Sequence, residues 1–451
     1  MTALNEAVRF FTVSNELGGM SARHVRVHNR AALLRLLREV GPLPRIELAD
    51  RSGLSATTVT KAIAELISEG VVAEIPRVRP ALSRVGRPSI DVALVAGARH
   101  VCGVQVGVGT VQLAICDLLA NVVEDATVTF DPAADVHTVL GVIETALGDL
   151  LTGSGVPRES IIGIGIGAPG PVDAAQRRNL LSINLGWRDV PFSDHIERAL
   201  GIPTVVDHNV RAMALAEARY GLGREADSLA FVYLRTGVGA GLVLGRQPYR
   251  GGTHGATEIG HLRIGAGDRP CSCGSTGCLE TVASEPALVE RVRATVNAQP
   301  AGLLASELAG GRSPLAALVA AGQAGDPAAG EIIESTAGHL ATGLANLINL
   351  LNPELIVVGG FFCDAGDLLL EPLRRALRRQ AFPVLRDAIR VELTTFGPKV
   401  GVVGAAAVAL DRVFYRPPVD AGGQVPAPHR LAGASWQTAL RTPTMSRSID
   451  E

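Results

Sequence analysis

Aromatic side chains are scarce in this 451-residue chain, at 4% for Phe, Tyr and Trp together, and Met occurs only four times. A core with so few rings has to be filled by Ala, Val, Leu and Ile. No run of 18 apolar residues occurs, which excludes a membrane-spanning helix of the usual kind. The first twenty residues lack a basic block followed by an apolar one and carry Glu6 and Glu16, so no secretory leader is expected. Cysteine is sparse as well: Cys102, Cys116, Cys271, Cys273, Cys278 and Cys363. In a cytoplasmic protein, which the missing leader and span imply, thiols stay reduced and a disulfide framework is not expected.

The chain does have length and glycine. Its 451 residues exceed what one core holds, so two or three folding units are expected. The 51 glycines point to many tight turns. The net charge of −2 hides an asymmetry, because residues 1–99 hold 14 basic against 9 acidic side chains and the remainder is acidic. A basic head on an acidic body suits a DNA-binding module fused to one that binds small molecules, although fluctuation in surface charge gives the same imbalance. Pattern and composition divide the chain into a flexible arm (1–20), a winged helix-turn-helix (21–95), a large α/β body (96–415) and a Pro-, Ser- and Thr-rich tail (416–451) expected to be disordered.

In the head, Leu33, Leu34, Leu36, Leu37 and Val40 share one helical face that ends at Gly41. Residues 45–52 predict a second helix closed by Gly53, and Ser55 is the N-cap of a third that stops at Gly70. Strands over 71–80 and 85–95 flank a Pro- and Arg-rich wing. Helix three of such a unit lies in the major groove with its first residues on base edges. Ser55, Ala56, Thr57, Thr58, Thr60 and Lys61 would form that face. Arg45 would lie near the DNA backbone, and Arg77, Arg79, Arg84 and Arg87 would reach phosphate or the minor groove. A unit of this size could instead dock a protein.

In the body, two glycine-turned hairpins (101–116 and 229–245) each open an α/β stretch, which suggests a duplicated two-lobe architecture. The lobes would divide near 210, and an Ala/Val helix at 401–414 would close the body. His261, Cys271, Cys273 and Cys278 are spaced H-x9-C-x-C-x4-C and supply four ligands for one tetrahedral Zn²⁺. With no open position such a metal would be structural. Gly274 and Gly277 permit the reversal between the ligands. Free or disulfide-bonded cysteines are the alternative.

The run GATEIGHLRIGAGDRPCSCGSTGCLE (255–280) resembles the signature of the ROK family of repressors and sugar kinases. GAPGPVD (167–173), NLGW (184–187), TGVGAG (236–241) and NPELIVVGG (352–360) fit it too, and the head followed by GRPS (86–89) resembles its repressor branch. The resemblance implies an actin-like, ribonuclease H-like two-lobed ATPase-type fold, with a C-terminal helix returning to the first lobe and a sugar held in the cleft. It implies that Glu258, His261 and Glu280 bond sugar hydroxyls, His261 while also holding zinc. It further implies a homodimer or dimer of dimers.

The chain departs from the kinase branch at two places. The D-x-G-x-T pattern of the first hairpin reads Gln105-Val106-Gly107-Val108-Gly109-Thr110, and the position of the catalytic Asp is Asn209, after Asp207-His208. An amide bears no charge for a metal-nucleotide and cannot take a proton from a hydroxyl. The nucleotide site that Gln105, Gly107, Thr110, Thr236, Gly237, Gly239, Gly359 and Gly360 would form is therefore degenerate, and ATP with Mg²⁺ is not expected to be used. His208 and Asn209 can still bond a sugar. The expected function is a DNA-binding regulator, a repressor of carbohydrate metabolism that senses a sugar or sugar phosphate. The alternatives are an active ATP-dependent sugar kinase with an added DNA-binding head, and a nucleotide-binding scaffold without a DNA role.

Overall fold

The computed structural model describes residues 22–76, 90–252, 257–265 and 267–416. The arm expected at 1–20, the wing tip with Arg77, Arg79, Arg84 and Arg87, and the tail beyond Arg416 lie outside the described residues.

The head begins with α1 (Ala22–Val40), a two-residue strand β1 (Leu43–Pro44), α2 (Arg45–Ser52) and α3 (Ala56–Ser68). Its strands β2 (Val72–Pro76) and β3 (Ile90–Leu94) form a sheet ordered β1-β3-β2. Gly53 ends α2 at φ 69°, and Ser55 caps α3 by accepting from the Thr58 amide at 3.1 Å. Leu33, Leu34 and Leu37 of α1 close over Leu48, Val59, Ile63 and Leu66, all buried. That core does not stop at the head. It runs on into Leu118, Ala212, Leu215, Phe414 and Tyr415 of the body.

The body repeats one plan. In the first half come β4 (His100–Val106), β5 (Thr110–Asp117), β6 (Val122–Thr129), α4 (Val136–Gly153) and β7 (Ile161–Ala168). A small hairpin, β8 (Asn179–Ser182) and β9 (Trp187–Val190), leads to α5 (Phe192–Leu200), β10 (Thr204–His208) and α6 (Asn209–Tyr220). The second half opens with β11 (Leu229–Leu234), β12 (Val238–Leu244) and β13 (Gln247–Pro248). A helical block follows: α7 (Glu280–Ala283), α8 (Glu285–Ala298), α9 (Leu303–Ala309), α10 (Pro314–Gln323) and α11 (Pro327–Leu351). Then come β14 (Leu355–Gly360), α12 (Phe362–Ala365), α13 (Asp367–Gln380), α14 (Pro383–Ala388), β15 (Arg390–Leu393) and α15 (Val400–Leu410). The sheets are ordered β6-β5-β4-β7-β10 and β13-β12-β11-β14-β15. Numbered within its own half, each reads 3-2-1-4-5, the duplication that the two hairpins suggest.

The helix that ends each half covers the sheet of the other, and glycines let it approach. A Cβ at Gly103 or Gly165 would overlap the carbonyl oxygens of Val402 and Ala405 on α15, and one at Gly241 would overlap the Val210 carbonyl on α6. The two helices meet at Gly404, where a Cβ would lie 2.8 Å from Met213 N. This packing seats the N-terminal ends of α6 and α15 together between the sheets. Residues 411–415 continue α15 as one π-helical turn, so the helix expected to reach 414 changes its winding at Asp411.

Gly165→Ala is expected to destabilise the protein by about 2–3 kcal/mol, because a backbone carbonyl must move to admit the methyl. Gly148→Ala, on α4 with nothing within 4 Å, should instead stabilise by up to about 1 kcal/mol. Thermal unfolding of the two variants checks the opposite signs.

Candidate functional site

The residues expected at the base of a sugar cleft meet at the junction of β10 with α6. β10 is buried along its length and pairs in parallel with β7, placing Asp207 beside Gly167 and His208 beside Ala168. Asp207 is fully engaged. Its carboxylate accepts from Gln176 Nε2 at 2.9 Å and from the His208 amide at 2.7 Å, and it forms an ion pair with Arg211 one turn along α6. Asn209, also buried, turns Oδ1 back onto the Val210 amide at 2.8 Å. His208 is pushed down to about 4 by burial first and by Arg211 second, with Asp207 opposing, so its ring is neutral and can both donate and accept.

Gln105 lies next to this junction. It is 6% exposed, its Nε2 donates to the Val106 carbonyl at 3.1 Å, and its Oε1 has no partner. A Cβ at Gly167 would lie 2.9 Å from that oxygen, and one at Gly401 would lie 3.0 Å from it. The amide is thus wedged between β7 and the start of α15. The tips of the two hairpins, with Gly107 and Thr110 on one and Thr236 and Gly237 on the other, are at least partly open to solvent.

A second group of the expected sugar-site residues lies on the loops around α7. Glu280 Oε2 accepts from the Val238 amide at 3.2 Å, and a Cβ at Gly237 would lie 2.5 Å from that oxygen and 3.5 Å from Asn184 Nδ2. Asn184, Gly237 and Glu280 therefore converge. Glu258 precedes the 3-10 turn Ile259–His261 and is open to solvent on one side. Loss of bulk water on its other side raises its pKa, His261 opposes the rise, and Glu280 adds to it. Three glycines assigned to nucleotide from sequence have packing roles. A Cβ at Gly239 would meet Val210 Cγ2 at 2.7 Å, one at Gly359 would meet the Phe231 ring at 2.8 Å, and Gly360, at φ +85°, lies on the Leu234 carbonyl. Sequence reasoning missed Gln176, Arg211 and Gly401. It saw Asn184 only as part of NLGW.

Next to this group, His261, Cys271, Cys273 and Cys278 bring one ligand atom each to within 4.8 Å of one another. His261 Nδ1 lies 3.5 Å from Cys271 Sγ, and Cys273 Sγ lies 3.9 Å from Cys278 Sγ. The loop closes on itself through Cys271 N to Ser275 O at 2.8 Å and Gly277 N to Arg269 O at 2.9 Å. Gly274 and Gly277 take φ of +88° and +67°, the left-handed region that the reversal requires. Nδ1 is the His261 nitrogen that faces the thiols.

Residues 101–412 match the ROK family along more than half of the chain. The chain belongs to the ROK family. Residues 28–73 match winged helix-turn-helix DNA-binding domains. The DNA-binding transcriptional repressor Mlc of Escherichia coli (strain K12) is 28% identical over 385 residues, which is 85% of this chain and 93% of that protein. The glucokinase of Halalkalibacterium halodurans is 33% identical over 308 residues, 68% of this chain and 93% of the enzyme. Among solved structures, a ROK family transcriptional regulator described as a homologue of E. coli Mlc superposes with a TM-score of 0.74 at 28% identity, covering 87% of this chain and 97% of its own.

The DNA-reading face of this ROK protein is partly self-satisfied. Ser55, Ala56, Thr57, Thr60 and Lys61 are exposed and Thr58 is half-buried. Ser55 Oγ and Thr58 Oγ1 lie 2.8 Å apart in the cap, and Thr60 Oγ1 donates back to the Ala56 carbonyl at 2.8 Å. That leaves Thr57 and Lys61 as the exposed polar side chains of this face without a hydrogen bond among the described residues. Arg45 forms an ion pair with Glu74 of β2, so it would have to leave that partner to reach a phosphate. Among the described residues, no helix is long and apolar enough to cross a membrane.

The buried neutral His208 sets a pH dependence. Its folded pKa lies below its unfolded value, so the unfolded chain binds the extra proton and stability is lost as pH falls from 6.5 towards about 4. The loss is at most about 3 kcal/mol. His208→Gln should flatten this part of the acid limb, as followed by urea unfolding between pH 7 and 4.

Proposed function

We propose that this ROK protein is a DNA-binding regulator, a repressor of carbohydrate-metabolism genes, whose cleft holds a sugar or sugar phosphate without phosphorylating it. In this reading residues 21–95 are the DNA-binding domain and 96–415 the sensor. Such a regulator works in the cytoplasm beside its DNA, and paired half-sites call for a homodimer or a dimer of dimers.

One observation carries the reading: an amide stands where proton abstraction needs a carboxylate. Asn209 heads α6, and the neighbouring Asp207 is committed to Arg211, Gln176 and a backbone amide. Losing a general base costs about 10²–10⁴ in rate, and Gln105 brings no charge for a metal-nucleotide. His208, Asn209, Glu258, His261 and Glu280 would bond sugar hydroxyls. The coverage of the relatives agrees. The repressor Mlc aligns over 85% of the chain, whereas the glucokinase aligns over 68%. That glucokinase, at 33% identity, is also what keeps a second reading, an active kinase with an added head.

We assign one structural Zn²⁺ to His261, Cys271, Cys273 and Cys278. Zn–S bonds of about 2.3 Å put tetrahedral ligand atoms roughly 3.8 Å apart, and the spacings here are of that order. A closed site of this kind would supply folding energy and would hold His261 against the cleft wall.

Incubated with ATP, Mg²⁺ and a panel of aldoses, the purified protein should form no sugar phosphate. Turnover above about 1 s⁻¹, ordinary for an enzyme, would select the kinase reading. Elemental analysis should find one zinc per chain and none bound by Cys273→Ser. Full zinc content in that variant would refute the ligand set.

A further inference from the structure

The end of α1 rests on the body at one place, and the contacts there are specific. Arg38 is 4% exposed and holds its guanidinium 4.5 Å from the centre of the Tyr415 ring and 5.6 Å from that of Tyr220. Its Nη2 donates to Glu39 at 2.9 Å. The Glu39 carboxylate also faces Arg246 at 3.6 Å and Arg219 at 4.0 Å, and its carbonyl accepts from Arg224 at 2.7 Å. Arg35 donates to the Tyr415 carbonyl at 3.2 Å, and the Tyr415 hydroxyl donates to the Leu118 carbonyl at 2.7 Å.

Arg219 and Tyr220 are the last two residues of α6, whose first is Asn209. Eleven of its twelve residues are buried, so it behaves as one rigid rod about 17 Å long. At one end of the rod is the cleft floor and at the other the seat of the head. α1 in turn carries α3, through Leu33, Leu34 and Leu37 against Val59, Ile63 and Leu66.

The seat is imperfectly compensated. Arg35, Arg38, Arg219, Arg246 and Arg416 gather around Glu39 and Asp411. Arg219, itself 4% exposed, leaves Nε and Nη2 without partners. Its pKa falls to about 10, through burial first and then through Arg38 and Arg416. Buried cations without enough counter-charge make a docked state shallow. Packed interfaces of that kind switch between discrete arrangements and do not deform smoothly.

We propose that Arg38 and Glu39 are positioning residues of the head, and that through them α6 passes the state of the cleft to the DNA-reading helix. The biological meaning rests on the regulator reading above; the mechanical coupling does not, and it can be measured without DNA or sugar. Asn209→Asp places a second carboxylate beside Asp207 at the cleft end of α6, a like-charge pair that a shift of the helix relieves. Hydrogen exchange of the full chain should show amides 33–40 changing rate at least fivefold in that variant. In an Arg38→Met background, which keeps the aliphatic stem but removes the guanidinium, the same substitution should change them less than twofold, a coupling that a purely structural role for Arg38 does not produce. Glu39→Gln serves as a second background should Arg38→Met fail to fold, with zinc content and circular dichroism as the check. Exchange changes confined to the cleft in Asn209→Asp, or persisting undiminished in both backgrounds, would overturn the proposal. Failure of the chain to bind DNA would count against the regulator reading alone.

Discussion

The crossed packing of α6 and α15 is the constraint on which the rest of the structure depends. Each closes one half of a duplicated body but lies on the sheet of the other, and each does so through glycines whose missing Cβ atoms make room for a carbonyl oxygen. Were Gly103, Gly165 or Gly241 any larger, the helices would be pushed off the sheets and their N-terminal ends would no longer meet. Asn209, Gly401 and the buried amide of Gln105 converge only because the helices come this close. At the opposite end, the same two helices present Tyr220 and, one π-turn beyond α15, Tyr415 to the head. The packing that shapes the cleft therefore also shapes the seat of the DNA-binding unit.

Within that frame the chemistry turns on charge. In the reading proposed here, the start of α6 and the end of β4 carry amides, Asn209 and Gln105, where a kinase would need carboxylates; the one carboxylate of the β10–α6 junction, Asp207, is paired with Arg211. As proposed, Asn209, a neutral His208 and the carboxylates Glu258 and Glu280 would bond sugar hydroxyls without activating any of them. A metal in the cysteine loop would fit the same plan, since it would hold His261 close to Glu258.

Much of this was legible in the sequence because it is local. Helix α2, its closing Gly53 and the Ser55 cap follow from residue types within one turn. The histidine–cysteine cluster followed from ligand spacing. What could not be read depends on contacts between residues far apart in the chain. That Gly239, Gly359 and Gly360 also make room for Val210, Phe231 and Leu234 is not visible in the sequence. The pairing of Arg45 with Glu74 is likewise not visible in the sequence. Nothing in residues 33–40 announces that their leucines share a core with Phe414 and Tyr415, so sequence pattern alone separates a head from a body that one core cluster spans.

The central claim is that this interior joins a carbohydrate-sensing cleft to a DNA-reading head. Mobility-shift titration of the full chain on its own upstream DNA, repeated across a panel of sugars and sugar phosphates at fixed salt, tests it most directly. The account requires a retarded complex whose affinity changes at least tenfold with one member of the panel. A complex indifferent to every sugar, or no complex at low salt, would contradict it.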